Sequence, residues 1–384
     1  MIYLDWAATA KPNKHLILEA IDESFKYFAN PSAIYEEGIL AKKRLEEARA
    51  NIASFLMAKS DEIFFTSSAT ESTQIIITSF INHPFKNEIL ISDREHKASK
   101  EMAHAMKALG YKINIISSTK KGFITPDAVL AKLNEKTALI SLLLVDNETG
   151  ALQPIKEIGN ALLEEKKKSG LEVHFHVDGV QAIGKIPLNF SEMPIDSSSL
   201  SSHKIGAMRG AGILYLKKKI TPFLLGGGQE KGIRSGTENL ASILCFEKCL
   251  KDSISHMEER LEHVKKLNAF LIEELKAIEG VETIPFDRAS SFENNDLEKF
   301  SPYIVSFCNH YLRGEVLVRM MSDKGIAISS GSACSSKNKK PFKLAPTKYS
   351  ENVARVSIGY ETTKEEIKEF IKTLKEIIGA LIWK

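Results

Sequence analysis

The stretch Ala138-Leu-Ile-Ser-Leu-Leu-Leu-Val145 decides the fold. It is apolar throughout apart from Ser141 and lacks the every-second-residue alternation of a strand with one wet face. Such runs belong to parallel sheets covered by helices on both sides. Upstream, Glu62–Thr66, Glu88–Ser92 and Lys112–Ser117 read as strands, and 69–81 and 97–109 as helices. Thr125 and Pro126 open a short helix as N-cap and first residue. Downstream come a helix over 155–168, a strand over 172–177 and an apolar strand over 211–216. This alternation predicts an α/β fold built on a mostly parallel sheet flanked by helices.

The 384 residues allow two domains. After Glu238 a long helical stretch runs to about Ile278. Strand 303–308, helix 315–324, strand 326–329 and a final amphipathic helix from Thr363 then form a smaller α+β unit. The expected division is 15–255 for the large domain, with 1–14 and 256–384 in the small one. With 43% hydrophobic and 26% charged residues the composition is that of a globular protein. A net charge of +3 gives no ground for direct nucleic-acid binding. No apolar run approaches membrane-spanning length, and the Met1–Trp6 start does not resemble a secretory signal. Cys245, Cys249 and Cys308 read as core residues, which points to a reducing cytoplasm rather than a disulfide framework.

Ligands of open α/β sheets bind beyond the carboxyl ends of the strands. His174-Phe-His-Val-Asp178 ends there and is followed by Gln181, and Ser201-Ser-His-Lys204 adds an amine between core-like segments. An inward amine and carboxylate suit pyridoxal 5′-phosphate: the lysine forms a Schiff base and the carboxylate keeps the pyridine nitrogen protonated. The two imidazoles and the carboxylate share one strand face and also suit a metal-dependent hydrolase. No second His/Asp cluster completes such a sphere, and it leaves Gln181 and Lys204 unexplained.

Thr66–Ser72 places hydroxyls and amides at a helix start, which is either a phosphate site or a plain N-cap cluster. His96 follows a strand, where it can stack on a flat ring or sit as a loop residue. Asn147 offers an amide, or simply a turn, at the end of the decisive strand. The glycine-rich Gly226–Asn239 segment carries Thr237. Cys334, in Gly331-Ser-Ala-Cys-Ser-Ser, is a nucleophile candidate; Lys337, Lys339, Lys340 and Lys343 follow and would favour its thiolate, or form a solvated loop. Arg355, alone in an apolar strand, suits a carboxylate clamp or a structural ion pair.

Tyr3-Leu-Asp-Trp-Ala-Ala-Thr, Asn30-Pro-Ser, Ala69-Thr-Glu-Ser, the Asp178/Gln181 pair, Ser201-Ser-His-Lys204, Ser-Gly-Ser-Ala-Cys334-Ser-Ser and Arg355-Val-Ser-Ile-Gly occur in one order over nearly the whole chain. Together they resemble the cysteine desulfurases of the class V aminotransferase group, fold type I pyridoxal-phosphate enzymes, in the branch with a long cysteine loop. The resemblance implies a seven-stranded large-domain sheet and a small domain that includes the N-terminal segment. It implies Lys204 as the cofactor's lysine, Asp178 at the pyridine nitrogen, His96 over the ring and Gln181 at the phenolate oxygen. Thr70, Ser201 and His203 would bind phosphate, with Thr237 from the partner of a homodimer. Asn147 and Arg355 would hold the carboxylate of L-cysteine. Cys334 would take the sulfur as persulfide, leaving alanine, and pass it to an iron–sulfur scaffold or a tRNA-thiolation enzyme. Selenocysteine lyase or another enzyme of this fold is the alternative, and a non-catalytic scaffold a third. The chain departs from the family at Tyr35, where histidine is frequent, and at Ala207-Met-Arg-Gly210, where Gly-Pro-Lys-Gly is usual. The stretch between Cys334 and Arg355 is also shorter and lysine-rich.

Overall fold

The structure is a computed structural model that describes all residues except 82, 84, 287, 289–298, 331–341 and 383–384. The first third of the chain comprises β1 (Ile2–Tyr3), α1 (Lys14–Phe25), α2 (Glu36–Phe55), β2 (Ile63–Thr66), α3 (Ala69–Thr78), β3 (Glu88–Ser92), α4 (Lys97–Met106) and β4 (Lys112–Ile116). The middle comprises α5 (Pro126–Leu130), β5 (Thr137–Leu143), β6 (Ala151–Leu152), α6 (Ile155–Ser169), β7 (His174–Asp178), β8 (Ser197–Ser201) and β9 (Gly212–Leu216). The remainder is α7 (Leu240–Ser255), α8 (Met257–Lys276), β10 (Val281–Ile284), β11 (Lys299–Phe300), β12 (Ile304–Asn309), α9 (Gly314–Asp323), β13 (Ile326–Ala327), β14 (Val353–Ser357) and α10 (Lys364–Ile382).

The main sheet has seven strands in the order β2-β9-β8-β7-β5-β3-β4. All neighbours are parallel except β9, which runs against both β2 and β8. The decisive strand β5 is interior to the sheet, between β7 and β3, and all of its residues are buried. From β3 the chain moves outward to β4, then returns to β5 on the other side of β3 and continues to β7. The crevice between the carboxyl ends of β3 and β5 is therefore a topological switch point, where this architecture binds ligands.

Local chemistry explains the element ends. Ser68 caps α3 by accepting from the Glu71 amide at 3.2 Å, and Thr125 caps α5 ahead of Pro126. Gly170 ends α6 in the left-handed region after Lys166, Lys167 and Lys168, which complement the helix dipole. The helical stretch expected over 238–278 is two helices separated at His256, whose backbone is non-helical. The break has a packing cause. The apolar face of α7 joins the core of the main sheet, whereas that of α8 joins a second core with β12, β14, α9 and α10. Leu4 and Ala7 belong to that second core, and β1 lies parallel to β13.

The serine run Ser197–Ser201 forms β8, buried along its whole length. Its hydroxyls are matched from neighbouring elements. Ser197 Oγ lies 2.8 Å from both His174 Nε2 and His176 Nδ1, and Ser199 Oγ lies 3.1 Å from His176 Nε2 and 3.0 Å from Thr73 Oγ1. Both imidazoles are thereby held by serine hydroxyls, and burial pushes each pKa down to about 3. The described residues contain no metal-holding cluster of His, Cys, Asp and Glu. Among the described residues no helix is long and apolar enough to cross a membrane.

Candidate active site

Lys204 lies in a single 3₁₀ turn, Ser202–Ile205, between β8 and the reversed β9. Gly206 closes the turn at φ 80°, where a Cβ would approach the Lys11 carbonyl to 2.8 Å. The approach is close because the N-terminal segment crosses this turn. The Ala10 amide donates to the His203 carbonyl at 3.0 Å, and the Asn13 amide to that of Gly206 at 2.8 Å. The Lys204 ammonium donates to the carbonyls of Ala7 (2.6 Å) and Ala8 (2.9 Å). Gln181 Nε2 donates to the same Ala7 carbonyl at 2.9 Å.

Asp178 is the last residue of β7, and its carboxylate accepts from the Val180 amide at 2.9 Å. Burial raises its pKa, while His96, the Val180 amide and Lys204 pull it down without cancelling the effect. His96 caps α4 by accepting from the Ala98 amide at Nδ1 (3.2 Å), which assigns its proton to Nε2. Burial and the nearby Lys204 lower the His96 pKa against the attraction of Asp178, so the ring is neutral. Asp178 at the end of β7, His96 after β3 and Lys204 after β8 thus feel one another.

The carboxylate-binding candidates also meet. Arg355 is 1% exposed; it donates to the Asn147 carbonyl at 2.6 Å and to Asp5 Oδ1 at 2.8 Å. The Asn147 turn is held by Asp146 Oδ1, which accepts from the amides of Glu148 (2.7 Å) and Thr149 (3.0 Å). Arg94 bonds Asp146 Oδ2 at 2.6 Å and Glu148 at 3.0 Å. Burial alone would raise the Asp146 pKa, but Arg94 holds it below the usual value. The ion pair expected as the bland alternative for Arg355 therefore exists, with Asp5, alongside a guanidinium placed against Asn147.

Of the phosphate-binding candidates, exposed Thr70 in the first turn of α3 shares with His96, Gln74, Lys97 and Met102 one cleft of about 420 Å³. Ser201 is buried at the end of β8. His203 Nδ1 lies 3.2 Å from Thr9 Oγ1, and burial with the adjacent Lys204 pushes its pKa to about 4. Thr237 is exposed on the segment before α7. That segment is tied to α3 by Arg234, which donates to Glu71 at 3.2 Å. Cys334 lies outside the described residues.

Four residues escaped the sequence reading. The Ala7 and Ala8 carbonyls have no side-chain signal. Glu95, beside His96, is a buried carboxyl that accepts from Ser92 Oγ (3.0 Å) and the Leu143 amide (2.7 Å). Burial and the charge of Asp178 push its pKa to about 8. Lys185, four residues after Gln181, is a buried amine that donates to Gln181 Oε1 at 3.0 Å; that spacing was the available clue.

The donor set fits pyridoxal 5′-phosphate. Asp178 is a half-buried carboxylate with no ion-pair partner among the described residues, as a group suited to a protonated ring nitrogen requires. An amine, a neutral imidazole and a helix N-terminus with hydroxyls surround the same crevice.

The class-V aminotransferase family model matches residues 2–370. A protein of Dictyoglomus turgidum named cysteine desulfurase IscS is 33% identical, over 99% of this chain and 95% of its own. A solved NifS-like protein superimposes with a TM-score of 0.88 at 29% identity, covering 99% of this chain and 100% of that one. The solved structure described as SspA in complex with cysteine gives a TM-score of 0.75 at 26% identity, covering 94% of this chain and 100% of that one.

Proposed function

We propose, from the premise that the chain belongs to the class-V aminotransferase family, that it is a pyridoxal-phosphate-dependent cysteine desulfurase converting L-cysteine to L-alanine with a persulfide on Cys334. The observation that carries the reading is that Lys204, Asp178 and neutral His96 lie close enough to shift one another's charge. The cofactor supplies an electron sink for negative charge developing on the substrate carbon.

The chain's own residues do the rest. Lys204 provides the amine that holds the cofactor and moves a proton at the substrate's α-carbon. The Ala7 and Ala8 carbonyls seat its ammonium when it is not bonded to the cofactor. Asp178 keeps the ring nitrogen protonated, and neutral His96 covers the ring with its proton on Nε2. Gln181 donates to the ring oxygen. Thr70, Ser201 and His203 bind phosphate. Arg355 and Asn147 take the substrate carboxylate, which fixes the side chain toward the sulfur acceptor. The Cys334 thiolate attacks the substrate sulfur: the S–S bond forms, the C–S bond breaks, and the former β-carbon gains a proton to become the methyl of alanine.

We assign residues 15–255 to the cofactor-binding unit, and 1–14 with 256–384 to the unit that carries Cys334. The working form is a homodimer in which Thr237 completes the partner's phosphate site. Exposed Phe28, Ile34, Leu224 and Leu225 support a surface that a second copy covers. The persulfide passes to an iron–sulfur scaffold or a tRNA-thiolation enzyme. Cys245, Cys249 and Cys308 are free thiols, which supports a cytoplasmic setting.

The test is alanine and sulfide release from L-cysteine with added cofactor and a thiol reductant. Equal yields, abolished in Cys334→Ala while its bound cofactor absorbs as in wild type, are expected. Undiminished sulfide from that variant would overturn the role of Cys334.

A further inference from the structure

Lys185 has no part in the chemistry above, yet it is a buried amine one bond from the site. It enters through a tight turn at Gly184 (φ 65°), where a Cβ would lie 2.7 Å from Ile205. Its ammonium donates to Gln181 Oε1 at 3.0 Å and lies 5.8 Å from the centre of the Tyr303 ring. Among the described residues it pairs with no carboxylate. A charge placed there at the cost of desolvation needs a purpose, and its hydrogen bond supplies one.

A glutamine amide is nearly symmetric in shape, so only its partners decide which end is oxygen. Gln181 has two. The Ala7 carbonyl can only accept, so it selects Nε2. An ammonium can only donate, so Lys185 selects Oε1. The Ala7 carbonyl is shared with Lys204, which puts Nε2 on the reactive-lysine side. We infer that Lys185 is a positioning residue: its charge locks the Gln181 amide so that the site is offered an N–H donor, suited to an anionic oxygen of the ligand held at Lys204, and not a carbonyl.

The lock depends on pH. Burial, then the charges of Lys204 and Arg355, push the Lys185 pKa down to about 7. The other ionisable groups facing it do not restore its proton near neutrality. His203 is neutral, and the Tyr303 phenol is held protonated by burial. The guanidinium of Arg355 already has Asp5. Above neutrality the Lys185 amine gains a lone pair and its bond to Oε1 loses its charge assistance, leaving Ala7 as the single constraint.

The chain has four glutamines, so ¹⁵N-glutamine labelling of the cofactor-free protein resolves the Gln181 side-chain amide, assigned by its loss in Gln181→Asn. In wild type this resonance should move with an inflection near neutral pH. Lys185→Arg keeps donors and charge and should show the low-pH position throughout. Lys185→Met should show the high-pH position throughout. A wild-type resonance that does not move between pH 6 and pH 9 would overturn the lock, and so would an inflection retained in Lys185→Arg. If Lys185→Met does not fold, wild type against Lys185→Arg at high pH decides: different positions support the lock and coincident ones refute it. In the loaded protein, which alone rests on the cofactor reading, the bound cofactor's absorption should titrate at a different pH in Lys185→Met and as at low pH in Lys185→Arg. Wild type that binds no cofactor refutes that reading and leaves the amide result standing.

Discussion

Glu95 shows how one carboxyl can be set by its surroundings. It accepts two hydrogen bonds at Oε1, from Ser92 Oγ and the Leu143 amide. Burial and Asp178 raise its pKa to about 8, so the native state holds a proton that the unfolded chain releases above about 4.5. Stability therefore falls as pH rises through the window from about 4.5 to 8, by at most about 1.4 kcal/mol per pH unit. Glu95→Gln keeps the acceptor for Leu143 and removes the titration. Its melting temperature should gain on wild type between pH 5 and pH 8; parallel melting curves across that range would remove Glu95 as a source of pH dependence. The residue was invisible in the sequence because nothing in Arg94-Glu-His96 says that the glutamate turns inward while the arginine finds Asp146 and Glu148.

Among elements, β8 is the instructive one. Serine is a poor strand former by itself, and Ser197–Ser201 has no apolar alternation to announce a strand. It becomes one because β7 supplies His174 and His176, and α3 supplies Thr73, to meet its hydroxyls. The two-residue period correctly put both histidines on one face. What faced them could not be read, because β8 and α3 arrive from distant parts of the chain. Ser197→Ala would strip a partner from both imidazoles in a dry layer, costing about 2–4 kcal/mol. Ser198→Ala, whose buried hydroxyl has no partner among the described residues, should cost far less. Chemical denaturation of the two variants checks this, and equal losses would contradict the network. The same layer backs α3, so the network also steadies the helix whose first turn carries Thr70.

At the scale of the whole molecule, the segment before α7 is pinned hard where it leaves the core. Both terminal nitrogens of Arg49 lie 2.7 Å from the Glu230 carboxylate, which also accepts from the Phe65 amide at 2.7 Å. Glu230 and Lys231 both adopt positive φ, a strained backbone held by this buried clamp. Beyond it, Phe223, Leu224 and Leu225 stand in solvent, and Thr237 is exposed. A rigid arm with an apolar tip suits a second copy of the chain. The proposed homodimer predicts that Leu225→Glu shifts the protein toward monomer in sedimentation equilibrium and lowers desulfurase activity, with Thr237 withdrawn from the partner's site. A wild-type monomer of full activity would refute the dimer.

Local patterning was enough for the α/β class, the parallel central strands, the helix starts at Ser68 and Thr125, and the motifs that name the family. These depend on residue periodicity and on interactions within a few positions, which a linear string records. Folding alone brought Ala7 and Ala8 to Lys204, Asp5 to Arg355 and Arg94 to Asp146, because those contacts join residues tens to hundreds of positions apart. Folding also decided that the helical stretch after Glu238 breaks at His256, where two separate cores claim its halves. The charge states of Glu95, Lys185 and the two β7 histidines belong to the same class. A pKa follows the dielectric and the charges around a group, and both are set by whichever distant segments close over it.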